Sequence, residues 1–134
     1  MALISSISGI RGTIGGRSDE GLSPIATVKF TAAYAAFIRE STGVKRPRIV
    51  IGRDARLSGG ALLRVVSGTL LSCGCDVTDI GLATTPTTEM AVTGLGAQGG
   101  IIITASHNPM NWNALKLLNH EGEFLSDKEG HDVL

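Results

Sequence analysis

The chain has 134 residues, 43% of them hydrophobic and 18% charged, which is typical of one globular domain and excludes a disordered chain. Twelve basic residues match twelve acidic ones, so the basic excess that a binder of nucleic acid or of anionic membranes requires is missing. No apolar run approaches the ~20 residues of a membrane span, and the first residues lack the pattern of a signal peptide. We therefore expect a cytoplasmic protein that binds neither nucleic acid nor membrane.

Two cysteines, Cys73 and Cys75, stand one residue apart. A zinc site needs further cysteines or suitably spaced histidines, and the sequence offers neither. We therefore interpret both residues as small apolar members of the core, in a protein of a reducing compartment.

The first predicted element is a helix that begins at Ser23-Pro24. Serine caps a helix N-terminus, and proline at the first helical position loses no needed hydrogen bond. Thr42-Gly43 is predicted to end this helix, and the spacing of its apolar residues predicts one side packed against a sheet. The residues of that side are Ile25, Val28, Ala32, Ala35 and Ala36, with Phe30, Tyr34, Phe37 and Ile38 beside them.

Strands and helices are then predicted to alternate. Residues 48–52 form a short β-branched run between a proline and a glycine, which favours a buried strand. The remaining elements are, in order, a helix capped by Ser58, a strand over 75–81, a helix begun by Pro86 and broken at Gly94 and Gly96, and strands over 100–104 and 114–119. This alternation predicts a three-layer α/β/α domain with a mainly parallel, mixed sheet of about four strands.

In such sheets, ligands bind beyond the carboxyl ends of the strands. Three loops begin there: GRDARLSG at 52–59, GLATTP at 81–86 and TASHNPMNWN at 104–113. In the third loop, Ser106 follows a run of isoleucines and precedes Asn108-Pro109, where the proline favours an extended backbone. A strand that ends in this way is typical of one that delivers a side chain to a site.

Ser106 can act as a nucleophile only if another group takes its proton. His107 is adjacent in an extended segment, where neighbouring side chains point apart, and the G-x-S-x-G turn of α/β-hydrolases does not surround Ser106. An alternative is that Ser106 carries a phosphoryl group, which would need cations or backbone amides nearby. Lys116, ten residues on, and Arg11, in a glycine-rich stretch predicted to form an anion-facing loop, are the candidate cations.

Ordinary structural roles stay open for these four residues. Ser106 and His107 are also compatible with a turn residue and a surface imidazole, and Arg11 and Lys116 with solvated charges. A P-loop is disfavoured because the sequence contains no G-x-x-x-x-G-K-[ST].

The segment GRDARLSG has two interpretations as well. Arg53, Asp54 and Arg56 either form an ion-pair cluster that fixes the turn from strand to helix or take part directly in the chemistry. His120 and His131 are interpreted as solvent-exposed polar residues.

Three motifs, in this order, resemble those of the α-D-phosphohexomutases, the family of phosphoglucomutase, phosphomannomutase and phosphoglucosamine mutase. SGIRG at 8–12 is similar to the family's N-terminal arginine loop, and GRDARLSG to its G-R-D-x-R-x-S-G segment. TASHNP at 104–109, with its lysine at 116, is similar to the phosphoserine loop and is the most specific of the three. The resemblance covers the whole chain; one difference is Ala114, where the family commonly has glycine.

This resemblance implies that Ser106 carries the catalytic phosphate, that His107 and Lys116 are its acid–base and charge-stabilising neighbours, and that Arg11 contacts the phosphoryl group. The implied activity is that of an intramolecular phosphotransferase. Such an isomerase moves phosphate reversibly between C1 and C6 of a hexose phosphate through a 1,6-bisphosphate. By the same resemblance, Mg²⁺ would bind through the Ser106 phosphate, and a hexose 1,6-bisphosphate would act as activator.

The resemblance also implies that residues 1–134 are domain I, the N-terminal domain of a longer enzyme. The family's aspartate-rich metal loop, D-G-D-x-D-R, does not occur in this sequence, so the remaining domains would supply it together with the sugar-selecting loop. We therefore expect the isolated domain to be inactive. The choice among glucose, mannose and glucosamine phosphates and the oligomeric state stay open, and the alternative function is a non-catalytic α/β module that binds a sugar phosphate.

Overall fold

The computed structural model describes residues 3–6, 9–14, 22–55, 59–104 and 112–126. Within these ranges the elements are β1 (Leu3–Ser6), β2 (Gly9–Thr13), α1 (Pro24–Thr42), β3 (Arg48–Arg53), α2 (Gly59–Ser72), β4 (Asp76–Leu82), α3 (Thr85–Gly94), β5 (Gly99–Ile103) and β6 (Trp112–Leu118). None of the described helices combines the length and the apolar character needed to cross a membrane.

The strands form one sheet in the order β1-β2-β6-β5-β3-β4. β3 pairs in parallel with β4 and with β5, and β5 pairs antiparallel with β6. These are the four strands predicted from the sequence, and the mainly parallel, mixed character predicted for them is confirmed. Two further antiparallel strands, β1 and β2, extend the sheet beyond β6.

The N-terminal strands correct the prediction that Arg11 lies in a glycine-rich loop. Arg11 is a residue of β2, which lies between β1 and β6. A strand with Gly9 and Gly12 lacks the β-branched alternation that marks strands in a sequence. Its pairing with β6 and the burial of Ile10, which is 1% exposed, stabilise it instead.

Helices cover both faces of the sheet, which confirms the three-layer prediction. One core cluster joins α1 and α2 to Ile49 and Ile51 of β3, whereas Val50 belongs to a second cluster with Val92 of α3. Because side chains alternate along a strand, each buried strand contributes to both clusters.

Helix α1 has the predicted bounds and caps, and its buried side agrees in part with the prediction. The Ser23 side chain accepts a hydrogen bond from the Ala26 backbone N–H at 3.2 Å. Ile25 and Val28 were predicted to face the sheet, yet they are 54% and 43% exposed. The buried residues are Thr27, Thr31, Tyr34, Ala35, Phe37 and Ile38.

Two threonines on the buried side of α1, Thr27 and Thr31, account for part of this difference. The Thr27 hydroxyl donates to the Ser23 carbonyl oxygen at 2.8 Å, which satisfies its polar group inside the helix. A threonine bonded in this way packs like a small apolar residue, so a pattern based on hydrophobic residues alone misses its core position. The Thr31 hydroxyl, by contrast, is buried with no hydrogen-bond partner among the described residues.

Tyr34 fixes α1 against the middle of the sheet. Its hydroxyl accepts a hydrogen bond from the Gly100 backbone N–H at 2.9 Å and donates to the Leu118 carbonyl oxygen. The tyrosine can approach this closely only because Gly99 has no Cβ, which would collide with the hydroxyl. This contact joins α1 to the start of β5 and to the end of β6, which runs antiparallel to it.

The predicted core role of the cysteines is confirmed for Cys75, which is fully buried, while Cys73 is partly buried beside it. Both are free thiols. Burial raises the pKa of the Cys75 thiol above its ordinary value, although the nearby Arg39 opposes the shift.

Candidate functional site

The chain adds β4 on one side of β3 and then β5 on the other side. This change in strand order identifies the carboxyl ends of β3 and β5 as the candidate site. From β3 the chain crosses by α2 to β4 on one side and then returns by α3 to β5 on the other. In such sheets ligands bind where two adjacent strands send their connections in different directions, beyond the carboxyl ends. Here those ends belong to β3 and β5, so the loops that begin at 54 and 104 flank the site.

Backbone pairing places four residues side by side at this edge, namely Asp54, Thr104, Ala114 and Arg11. The Asp54 N–H donates to the Ile103 carbonyl oxygen at 3.1 Å, and the Thr104 N–H donates to the Ala114 carbonyl oxygen at 3.0 Å. In the next strand, Arg11 pairs with Ala114. Since neighbouring strands are ~4.8 Å apart, the backbones of Arg11 and Thr104 are separated by roughly 10 Å.

A side-chain hydrogen bond joins the two loops. The Thr104 hydroxyl donates to Oδ2 of Asp54 at 2.7 Å, and Thr104 is 7% exposed. From the sequence alone, the role of Asp54 is open and Thr104 is not recognisable as its partner. No sequence signal pointed to this pair, because the two residues lie 50 positions apart.

Lys116 lies in β6, two residues further from the edge than Ala114. Its side chain points away from Leu115 and Leu117, because side chains alternate along a strand and those leucines belong to the core cluster under α1 and α2. The Lys116 Nζ lies 6.0 Å from the centre of the Phe124 ring. Phe124, which sequence reasoning also missed, pairs across a β-bridge with Leu118 and therefore lies alongside β6.

Arg53 ends β3 at the same edge. Its Nε atom is buried and has no hydrogen-bond partner in the part of the chain that the structure describes. Its Nη1 lies 3.8 Å from the position that a Cβ on Gly59 would occupy, so the guanidinium adjoins the first residue of α2. A cation beside the positive end of a helix is stabilised by an anion, and this corner of the site is therefore suited to a negatively charged group.

Several predicted site residues lie outside the described residues. These are Ser106 and His107, together with Arg56, Ser58 and His131. Of Arg11, the backbone is described and its position in the sheet is given above. Ala114, the difference from the family pattern, lies within β6 and is 4% exposed, so an extended backbone that any residue adopts is sufficient there.

Two other features of the described ranges lie apart from this edge. A cavity of about 490 Å³ is lined by Gln98, His120 and residues that precede β3 and β5, so it lies at the opposite end of these strands and contains none of the predicted site residues. His120 is solvent-exposed, as predicted, and its Nε2 lies 3.9 Å from Oε1 of Glu121. No group of three histidine, cysteine or acidic side chains that could hold a metal occurs among the residues described.

The sequence matches the model of one protein family over residues 4–133. That family is described as phosphoglucomutase/phosphomannomutase, alpha/beta/alpha domain I. The match covers nearly the whole chain and includes all three motifs.

Individual relatives agree with this match. A phosphoglucomutase/phosphomannomutase from Thermococcus kodakarensis is 42% identical over 113 residues, which are 83% of this chain and 25% of that protein. A phosphoglucosamine/phosphogalactosamine mutase from Sulfurisphaera tokodaii is 37% identical over 130 residues, 96% of this chain and 27% of that protein. The chain thus spans about a quarter of the length of the curated relatives it matches.

Solved structures share the fold. The crystal structure of a phosphomannomutase-like protein from Thermus thermophilus superposes with a TM-score of 0.85 at 28% identity, over 99% of this chain and 29% of that one. A phosphoglucomutase/phosphomannomutase family protein from Burkholderia thailandensis gives a TM-score of 0.77 at 25% identity, over 97% of this chain and 30% of that one.

Proposed function

This chain belongs to the α-D-phosphohexomutase family, and we propose that it supplies the phosphoserine loop for phosphate transfer between C1 and C6 of a hexose phosphate. One observation carries the proposal. The row across β3, β5, β6 and β2 brings the start of the Ser106 loop to the same edge as Asp54 and the backbone of Arg11. Residues far apart in the sequence therefore meet at the edge where a ligand of this fold binds.

The proposed reaction proceeds by two phosphoryl transfers. A hydroxyl oxygen of the hexose monophosphate attacks the phosphorus of phosphorylated Ser106, the bond from phosphorus to the serine oxygen breaks, and a hexose 1,6-bisphosphate forms. The hydroxyl proton passes to the serine oxygen by way of the acid–base group, for which we propose His107. The bisphosphate then turns round and returns its other phosphate to Ser106, which completes the isomerisation.

Stabilisation of the transferring phosphoryl group falls to cations in this proposal. Its transition state spreads negative charge over the phosphoryl oxygens, so positioning and electrostatics matter more than covalent chemistry from the protein. Lys116 and Arg11 are the proposed cations of this chain. Mg²⁺, which would add positive charge, is proposed to bind through the Ser106 phosphate, with its other ligands from the rest of the full-length protein.

The rest of the full-length protein is also proposed to select the hexose. Since the chain spans 25% and 27% of two curated relatives, we propose that it is domain I and that the 134-residue chain alone does not turn over hexose phosphates. We further propose a cytoplasmic location, and a hexose 1,6-bisphosphate that restores the phosphate on Ser106 as activator.

Turnover by the full-length protein tests the proposal. Phosphorus NMR would follow the 1-phosphates of glucose, mannose and glucosamine, each supplied with Mg²⁺ and a trace of the matching 1,6-bisphosphate. We expect conversion of at least one substrate to its 6-phosphate, and none by the 134-residue chain. Binding of hexose phosphate without any conversion would contradict the proposal and favour a non-catalytic binding module.

A further inference from the structure

The hydrogen bond between Thr104 and Asp54 links the starts of the two loops that flank the candidate site. Thr104 is the last described residue before the loop that contains Ser106, and Asp54 is the first residue after β3. The bond between them measures 2.7 Å and joins the two loops that flank the candidate site. Because its acceptor is a carboxylate, it belongs to the stronger class of charge-assisted hydrogen bonds.

Thr104 is held in two directions at once. Its backbone N–H donates to Ala114 of β6, and its hydroxyl donates to Asp54 beside β3. The first bond restrains the backbone, and the second restrains the χ1 angle, which is already stiff in a β-branched side chain. The backbone and the side chain of Thr104, two residues before Ser106, are therefore both restrained.

The Asp54 backbone strengthens this arrangement. Its N–H donates to the Ile103 carbonyl oxygen at 3.1 Å, so Asp54 is bonded to two successive residues of the segment that leads into the loop. A carboxylate at the edge where a phosphoserine is proposed would repel that phosphate. The hydrogen bond to Thr104 gives the carboxylate a positional role that does not depend on contact with the phosphate.

We propose that Asp54 is a positioning residue that acts through Thr104 on the loop that carries Ser106. The inference rests on the proposed function, since it concerns the placement of the phosphoryl group for in-line transfer. It assigns to Asp54 no contact with the substrate. A misplacement of ~1 Å lowers the rate of a well-oriented reaction by roughly 100-fold, so the loss of this bond should affect kcat much more than KM.

Variants of Thr104 in the full-length protein test the proposal. Thr104→Val keeps the shape and removes the hydroxyl, and we expect kcat to fall ~100-fold with KM changed by less than about 3-fold. Thr104→Ser restores the donor and should keep kcat within a few-fold of wild type. Thr93→Val, which removes an exposed hydroxyl bonded within α3, is the matched control and should leave kcat unchanged.

Asp54→Ala and the double variant with Thr104→Val complete a thermodynamic cycle. If the two residues act through one bond, the double variant should lose no more activity than Asp54→Ala alone. Urea unfolding of every variant shows whether it is folded; if Thr104→Val does not fold, Asp54→Asn, which keeps a neutral acceptor, should give a smaller loss of kcat than Asp54→Ala.

The possible failures can be told apart. Wild-type kcat in Thr104→Val, equal losses in Thr104→Ser and Thr104→Val, or multiplied losses in the double variant would each overturn the positioning role while leaving the proposed function intact. Absence of turnover and of phosphate on Ser106 in the wild-type protein would overturn the proposed function and this inference with it.

Discussion

Among single residues, Lys116 carries a large part of the proposed chemistry. Its ammonium group lies over the Phe124 ring, at the outer limit of a cation–π contact. Phe124 is 39% exposed, so the pair lies at the surface and the contact contributes ~0.5–1 kcal/mol at most. The contact limits the side chain to few rotamers, and it directs the ammonium group towards Phe124, which lies alongside the end of β6.

Lys116→Met should lower kcat of the full-length protein by roughly 10²–10³-fold, because a positioned charge that stabilises the transition state is worth about that factor. Methionine keeps most of the unbranched side chain, so the fold should be unaffected. Lys29→Met, at an exposed position of α1, is the matched control. Steady-state kinetics that show equal kcat for both variants would contradict the role of Lys116.

Cys75 provides a prediction about stability and pH. Burial raises the pKa of its thiol in the folded state, so above the ordinary thiol pKa of about 8.5 the unfolded chain binds fewer protons than the folded one. The free energy of unfolding should therefore decrease as the pH rises above about 8.5.

In Cys75→Ala this decrease should be smaller, whereas Cys73→Ala, which retains Cys75, should show the same decrease as the wild type. Urea unfolding of the 134-residue chain between about pH 7 and 10 measures both, and identical pH profiles for the two variants would contradict this assignment.

At the scale of elements, the sequence predicted the strands that are buried on both faces. The run of β-branched residues at 49–51 and the isoleucines at 101–103 leave few alternatives to a core strand, because each contributes side chains to both core clusters. β1 and β2 escaped prediction since β2 is stabilised by pairing with β6, about a hundred residues away, and β1 pairs with β2 in turn. The buried side of α1 was predicted in part, because Thr27 and Thr31, which also occupy core positions, do not belong to its hydrophobic pattern.

The candidate site was predictable in its parts but not in its arrangement. The loops that begin at Asp54 and Thr104 were identified, since each follows a predicted strand. Their bond to each other depends on the order of β4, β3 and β5, which local periodicity does not contain. The same holds for Arg11, whose position opposite Ala114 follows from the register of β2 against β6.

The packing of α3 on β3 gives a prediction for Gly52. A Cβ at this position would collide with the Thr88 hydroxyl, because α3 approaches β3 closely there. Gly52→Ala should therefore destabilise the 134-residue chain by ~1–3 kcal/mol, the usual cost of overpacking.

Gly68→Ala provides the matched control for Gly52→Ala. A Cβ at Gly68, within α2, meets nothing within 4 Å, so this variant should gain ~0.5–1 kcal/mol from helix propensity. Opposite shifts of the urea midpoint are the expected result. A Gly52→Ala protein as stable as Gly68→Ala would contradict the close approach of α3.

At the scale of the whole molecule, the described residues form one edge of the proposed site, and we propose that other parts of the full-length protein supply the rest. Arg53 ends β3 at this edge on the face covered by α1 and α2, whereas Lys116 lies two residues from the edge on the opposite face of the sheet. A ligand bound at this edge would face the region beyond the carboxyl ends of β3 and β5. Such an arrangement suits a protein that encloses its substrate between domains, and the chain spans about a quarter of its curated relatives.

The phosphorylation state of Ser106 tests the central proposal most directly. The full-length protein would be incubated with a hexose 1,6-bisphosphate and studied by intact-mass spectrometry with peptide mapping, beside Ser106→Ala and the surface control Ser72→Ala. We expect one phosphoryl group on Ser106 in wild type and in Ser72→Ala, its loss when hexose monophosphate is added, and none in Ser106→Ala. Phosphate that persists in Ser106→Ala, or a wild-type Ser106 that never becomes phosphorylated, would contradict the proposal.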